Sequence, residues 1–516
     1  MCSCTPCWPR PVWPEQDTGK KMKDIAFASI ESLAQHLRQK AITSEALISL
    51  FLQRIDALNP KLNAYSVVFH ESAMAMARAS DMRRQHGFAL GPLDGIPIAV
   101  KDLCEIEGTI TTVGSRQWEN RHSTTTADIV RKLLAAGAVI LGKTQMVEFA
   151  FGGWGTNPLM GTPWNPWDMA EHRIPGGSSS GSGVVVAAGL APCAIGTDTG
   201  GSVRTPSSLN GITGLKTTRG LISLDGTFAL SSTLDTIGPM TRTASDAALL
   251  TAVLCDQPYS GQARAMMALS RSPTAKPLAG KVICVVPPAH YGIDVQDDIL
   301  YVQQSTIKTL KELGAKVIVR QLPFGLEDLM NKAGKIIACE GYQVHKDYIS
   351  DPSMRIGQYV RERMLSAQEI PAHEYLELLD TRKRMKKCWQ NWMMDIDTVL
   401  LPSTPFTAAA LSSVDESQTP FGYFTRFVNF VDACSISIPA GFDRQKLPIG
   451  MQLIGKAFDE ANILAVAIAV QSVTSWHTRT PVLGPETHRL PPVAAKGHND
   501  AIASSLLNHR GNHVPG

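Results

Sequence analysis

The sequence predicts an α/β protein with a covered sheet. Short apolar runs of strand length recur along the chain, amphipathic helical stretches separate them, and a strand–helix–strand unit is legible at 282–319. In chain order, Ser29 to Leu58 reads as two amphipathic helices. Ile30, Leu33, Ala34 and Leu37 fall at helical spacing, and so do Leu47, Leu50, Phe51, Ile55 and Leu58. Thr43 and Ser44 stand where N-caps of the second helix belong. GIPIAVK (95–101) reads as a buried strand that ends in a lysine. Residues 126–136 read as a helix and 138–141 as a strand. TASD (243–246) fits a capping box before an apolar helix from Ala247 to Leu254. A strand at 282–286, a helix at 299–313 and a strand at 316–319 follow, then strands at 397–401 and 449–454.

By length alone, 516 residues allow two to four domains. No internal repeat and no linker stands out before about residue 485, so one domain over 23–484 is expected, with tails at 1–22 and 485–516. Net charge is +3 and the basic residues are spread along the chain, which argues against a nucleic-acid partner. The apolar stretches 183–196 and 463–470 are too short for a bilayer, so no membrane partner is expected. Seven cysteines lie singly among apolar neighbours and read as buried reduced thiols, which suits a cytoplasmic protein. Cys2, Cys4 and Cys7 crowd a Pro/Trp-rich terminus that lacks a second CxxC for zinc and lacks the features of a signal peptide. Met22, in KKMKDIAF, is a candidate natural start.

The chemistry concentrates in 176–211. Two Ser/Gly-rich loops, GGSSSGSG and GTDTGGS, bracket a small apolar segment. Glycine lets backbone approach a ligand closely, and serines among glycines present unshielded hydroxyls. Two such loops can bring two hydroxyls and several N–H groups to one point, as a serine hydrolase requires.

Three readings compete. Residues 177–181 match the G-x-S-x-G nucleophile elbow with Ser179 as nucleophile, but the elbow needs a preceding strand and DMAEHRIP (168–175) is a poor one. A phosphate loop fails because no Gly-Lys-Ser/Thr follows the glycines. The third begins at Lys101, which a buried strand would desolvate toward neutrality, making it a base for a serine. A plain ion pair between Lys101 and Asp102 at the strand's end is the commoner arrangement for an isolated lysine, and the strand pattern alone favours it.

Further segments extend the pattern: GPLDGIPIAVKD (91–102), GKTQMVEF (142–149), GGWGTNP (152–158), PGGSSSG (175–181), GTDTGGSVR (196–204), GITGLK (211–216), LDTIGPM (234–240) and LPIGMQLIG (447–455). In these, from about Ile25 to Val470, the chain resembles the amidase signature family of serine hydrolases. The resemblance implies a large twisted mixed β-sheet covered on both faces by α-helices. It implies a Ser–cis-Ser–Lys triad: Ser202 the nucleophile, Ser178 the bridging serine after a cis peptide bond, Lys101 the terminal base. Thr199, Gly200, Gly201 and Ser202 then supply the oxyanion-hole N–H groups. Asp198 and Arg204 are expected to brace that loop, with Thr197 and Ser180 as supporting donors.

The expected reaction is hydrolysis of a carboxylic acid amide with an aryl, arylalkyl or otherwise apolar acyl group, through an acyl-enzyme. Met146, Phe149, Phe151 and Trp154 are the candidate substrate-binding residues, with Phe424 and Phe427 beside them. No cofactor and no metal is expected. The expected partner is a small-molecule amide, and a homodimer is the assembly carried forward. The alternatives are an aryl urea or carbamate hydrolase, or the glutaminase-type subunit of an amidotransferase; the stretch 255–395 favours a stand-alone amidase over the last.

Overall fold

The computed structural model of the protein describes residues 25–255, 261, 266, 268 and 276–484. The expectations for both tails, for Cys2, Cys4 and Cys7 and for Met22 lie outside the described residues. Among the described residues, eleven strands form one sheet: β1 (Tyr65–Val68), β2 (Pro97–Lys101), β3 (Val139–Thr144), β4 (Cys193–Asp198), β5 (Thr213–Lys216), β6 (Thr236–Thr241), β7 (Val282–Val285), β8 (Lys316–Val319), β9 (Thr398–Pro402), β10 (Ser435–Phe442) and β11 (Pro448–Ile454). Their order is β1-β3-β2-β4-β6-β5-β10-β11-β9-β7-β8. The sheet is mixed. β2 runs parallel to β3 and β4, and β7 parallel to β8 and β9, while the pairs joining these two patches are antiparallel.

Every residue of β2, β3, β4, β5, β6, β9 and β11 is buried. Successive side chains of a strand point to opposite faces, so complete burial means that both faces are covered. This is why the strand sequences show apolar runs instead of alternation. β8 lies at the edge with no residue fully buried. The predicted elements appear within a few residues of their expected bounds, for example helices Ile30–Arg38, Ser44–Leu62, Asp128–Ala135 and Asp297–Glu312. Among the described cysteines, Cys339 and Cys388 are only half-buried because they sit on helices outside the sheet core.

Caps fix the helix ends. Thr43 caps Ser44–Leu62 by accepting from the Ala46 N–H at 3.1 Å. Thr243 accepts from the Asp246 N–H at 3.0 Å, but Asp246 does not close the expected box. Its carboxylate accepts instead from the Ile30 N–H at 3.1 Å, at the start of another helix. Residues 243–246 thus cap one helix with a hydroxyl and a second, 216 positions away, with a carboxylate.

The short segment between the two Ser/Gly loops is a fully buried helix, Ser180–Ala187, which leads into β4. A Cβ on Gly181 would run into the Ala64 carbonyl and Gln145 backbone, so glycine lets this helix seat against the sheet. Its C-terminal carbonyls are held by Arg54: Nε donates to Gly189 O and Nη2 to Ala188 O, both at 2.9 Å. Hydrogen bonds from a charged donor contribute about 1.5–3 kcal/mol each. Arg54→Met keeps the aliphatic volume and removes both donors, so we expect it to lower stability by about 2–4 kcal/mol. Chemical denaturation of the two proteins measures this, and an unchanged midpoint would contradict the assignment.

Candidate active site

Three elements converge where the parallel patch meets the antiparallel one. β2 ends at Lys101, and the neighbouring β4 ends at Asp198, just before the second Ser/Gly loop. The first loop lies alongside, stitched by backbone hydrogen bonds: Gly177 N–H to Gly153 O at 2.8 Å, Val147 N–H to Ser178 O at 3.1 Å, and Ser179 N–H to Ser202 O at 3.2 Å. The peptide bond between Gly177 and Ser178 is cis, as the resemblance implies.

Lys101 is fully buried, with Nζ 2.8 Å from Ser178 Oγ and 2.9 Å from Thr197 Oγ1. Burial brings its amine down to about 7, against the opposing pull of Cys104, Asp235 and Asp198. A neutral amine has one lone pair and two N–H groups, so it can accept from Ser178 while donating to Thr197. Asp102, the alternative partner, faces Lys143 at 4.0 Å and accepts from Thr112 Oγ1 at 2.6 Å. The ion-pair reading of Lys101 therefore has no contact to support it.

Ser202 is 8% exposed, in contrast to the sealed Ser178 and Lys101. Among the described residues Ser202 Oγ and Ser178 Oγ share no hydrogen bond; the two loops are tied through the Ser202 carbonyl instead. Ser179, the elbow candidate, is consumed by structure: its hydroxyl donates to Thr197 O and accepts from Thr197 N–H, both at 3.2 Å. No strand precedes it, since residues 168–175 form a loop. Ser180 contacts Gln145 O and no member of the Lys101 cluster.

The loop 199–203 is folded around the buried Asp198 carboxylate. Oδ1 accepts from the Gly201 N–H at 2.8 Å and Oδ2 from the Val203 N–H at 3.1 Å. Arg204 adds a two-pronged contact, Nη2 to Oδ1 at 2.9 Å and Nε to Oδ2 at 3.0 Å, and Asn429 Nδ2 donates at 3.0 Å. Burial pushes the carboxyl up, but Arg204, Lys216 and Asn429 outweigh it and hold the group well below the usual carboxylate range. Gly201 adopts φ 128°, and a Cβ there would strike the Thr425 side chain. The bracing expected of Asp198 and Arg204 is present. Because the Gly201 N–H is taken by Asp198, the free donors of the loop among the described residues are those of Thr199, Gly200 and Ser202.

Thr199 is pinned from below, its hydroxyl donating to Asp235 Oδ1 at 2.5 Å. Burial pushes Asp235 up to about 6, and the Thr199 bond opposes it. Asp235 had no distinguishing mark in the sequence beyond its place in LDTIGPM.

An open cavity rises above Ser202. Of the candidate substrate-binding residues, Phe151 and Trp154 line it. Met146 and Phe149 do not: both are core, and Phe149 packs its ring on Trp118 and His345 at 5.2 and 4.1 Å. Phe424 and Phe427 are likewise core, against Tyr291 and Trp389. The reason is geometric. Residues 149–151 turn through positive φ at Phe149 and Ala150, which sends Phe149 inward and leaves Phe151 facing the cavity. The wall is completed by Leu230, Ile337, Phe421 and two arginines, Arg363 and Arg426, that sequence reasoning did not single out.

Comparison with known proteins identifies the family. The family model described as Amidase matches residues 46–464. The glutamyl-tRNA(Gln) amidotransferase of Ralstonia nicotianae has an A subunit 34% identical to this chain over 498 residues, covering 89% of this chain and all of that protein. A solved structure of a vestigial protein complex that bears on the origins of an s-triazine catabolic enzyme, inhibitor bound, superposes with TM-score 0.78 at 28% identity, covering 86% of this chain and 98% of that one. The native peptide amidase of Stenotrophomonas maltophilia superposes with TM-score 0.75 at 26% identity, covering 86% and 96%. With its mixed eleven-stranded sheet and the match over most of its length, the chain belongs to the amidase signature family, enzymes that act on carbon–nitrogen bonds.

Proposed function

We propose that the protein hydrolyses a carboxylic acid amide through the Ser202–Ser178–Lys101 relay. The observation that carries this is the buried Lys101 amine hydrogen-bonded to Ser178 with no carboxylate contact. Neutral Lys101 takes the Ser178 proton as Ser178 takes that of Ser202, whose oxygen attacks the amide carbon. The tetrahedral oxyanion faces the N–H groups of Thr199, Gly200 and Ser202, each such donor being worth about 3 kcal/mol in the barrier. The relay returns a proton to the nitrogen, the amine or ammonia leaves, and water cleaves the acyl-enzyme. Phe151, Trp154, Leu230, Ile337 and Phe421 give the acyl pocket an apolar body, in keeping with an aryl or alkyl acyl group. The similarity to the A subunits of amidotransferases supports a second reading, a glutaminase working with partner proteins.

Ser202→Ala is expected to abolish labelling by a fluorophosphonate and to lower amide hydrolysis at least about a thousandfold, with Lys101→Met comparably slow. Residual labelling of Ser202→Ala at the parent rate would place the nucleophile elsewhere, Ser179 being the obvious alternative.

The pH profile follows from Lys101. The base works as the free amine, so kcat/KM for an uncharged amide should rise tenfold per pH unit below about 7 and level off above it. A profile flat from pH 5 to 8 would remove Lys101 from the relay.

A further inference from the structure

The apolar wall of the cavity is interrupted by two guanidinium groups whose situations differ. Arg363 is satisfied: Nη1 donates to Phe151 O at 2.8 Å, and Nη2 donates to the backbone oxygen of Glu416 at 2.5 Å and to its carboxylate at 2.6 Å. Glu416 also accepts from the Thr156 hydroxyl, so its carboxylate is spent. Arg426 has neither a hydrogen bond nor an ion pair among the described residues. Its side chain crosses the cavity floor between the nucleophile loop and the helix Leu326–His345. A Cβ built on Gly200 would lie 3.0 Å from its Cγ, and one on Gly334 would lie 3.1 Å from its Nη1.

Burial, then the like charge of Arg363, brings Arg426 down to about 10, so it stays a cation at neutral pH. A partly desolvated cation with a second cation as neighbour is costly unless an anion completes it. No acidic residue lines the cavity among the described residues, and Thr199, Thr205 and Thr419 are its polar side chains besides Ser202 and the arginines. The site therefore carries unbalanced positive charge against the loop that holds Ser202.

We propose that Arg426 holds a carboxylate on the acyl part of the substrate, so that the preferred substrates are half-amides of dicarboxylic acids. This rests on Ser202 being the nucleophile. The amide C–N bond breaks, water supplies the new carboxyl oxygen, and the products are a dicarboxylate and an amine or ammonia. Glutamine presents an ammonium beside its carboxylate, and that ammonium would meet two arginines and no free acid. The wall thus favours a plain monoanion over the zwitterion.

The test compares chain-matched pairs on the full-length protein: succinamate, glutaramate and adipamate against butanamide, pentanamide and hexanamide. For the best-fitting length the half-amide should exceed its neutral partner in kcat/KM by roughly 10- to 100-fold, the usual worth of a charge-assisted contact. Arg426→Met should collapse that ratio to within about threefold of unity, and Arg426→Lys should recover part of it. Equal or better rates on the neutral amides, a ratio unmoved by Arg426→Met, or faster hydrolysis of glutamine than of glutaramate would each overturn the proposal. Binding is read separately on Ser202→Ala by calorimetry with glutarate. Heat of binding that vanishes in Ser202→Ala/Arg426→Met supports the anion site even if no amide is turned over, a result that would instead fault the reaction. No binding of glutarate to Ser202→Ala overturns the site itself.

Discussion

The buried pair between Asp198 and Arg204 is the contact on which the rest of the site depends. Asp198 closes β4, and its two oxygens gather the N–H groups of Gly201 and Val203, so the loop between them bulges away with three free donors on its outer side. Arg204 opens the next helix and also donates to Thr425 O at 3.0 Å and to Asn429 Oδ1 at 2.7 Å, tying in the short helix Arg426–Phe430. The same helix begins with the arginine that faces the cavity. One ion pair therefore sets Ser202, the N–H groups of Thr199 and Gly200 and the charged wall in a common frame. Its two charges are taken wholly out of water, and satisfying nearly every polar atom on both partners is what makes that tolerable.

Three buried lysines end strands near one another, and only one is placed to act as a base. Lys143, at the end of β3, donates to Ile110 O at 2.8 Å and to the Thr111 hydroxyl, with the Asp102 carboxylate opposite. Lys216, at the end of β5, donates to Thr217 O and Ala433 O at 2.7 and 2.8 Å. Carbonyl oxygens can only accept, so they favour the charged form with its full set of donors. Lys101 faces two hydroxyls, which can donate as well as accept, and the neutral amine fits that environment. Burial lowers all three, and only at Lys101 is a serine there to use the result.

How much of this was legible in the sequence follows from distance along the chain. The sheet could be read because burial on both faces writes itself into contiguous apolar runs such as PIAVK and TVLLP. The residues of the proposed relay could be singled out because they sit in compact Ser/Gly loops and at a strand end, and the resemblance implied their order. The cavity wall could not. Its members come from 150–154, Leu230, Ile337, Arg363 and 419–426, and none of these lies in a pattern that separates a wall residue from a core one. Phe149 and Phe151 illustrate the difficulty: two residues apart and chemically identical, they part company at the positive φ of Phe149 and Ala150. The capping box at 243–246 erred for a related reason. Its hydroxyl half is local and was readable, whereas its carboxylate serves a helix start more than two hundred residues away.

The same separation bears on how overall similarity should be weighed. Identity of 34–36% to the A subunits of amidotransferases extends over 88–89% of this chain and is a property of the match as a whole. Substrate choice depends on far fewer atoms. A single unpaired guanidinium at the cavity floor can alter preference between charged and neutral acyl groups by an amount comparable to a full charge-assisted hydrogen bond. Arg426 lies against the open face of Gly200 and makes no hydrogen bond to Lys101, Ser178 or Ser202 among the described residues. A wall residue can therefore redirect the enzyme while the fold and its chemistry stay as they are, and the charge of that wall is a better guide to the substrate than the length of the match.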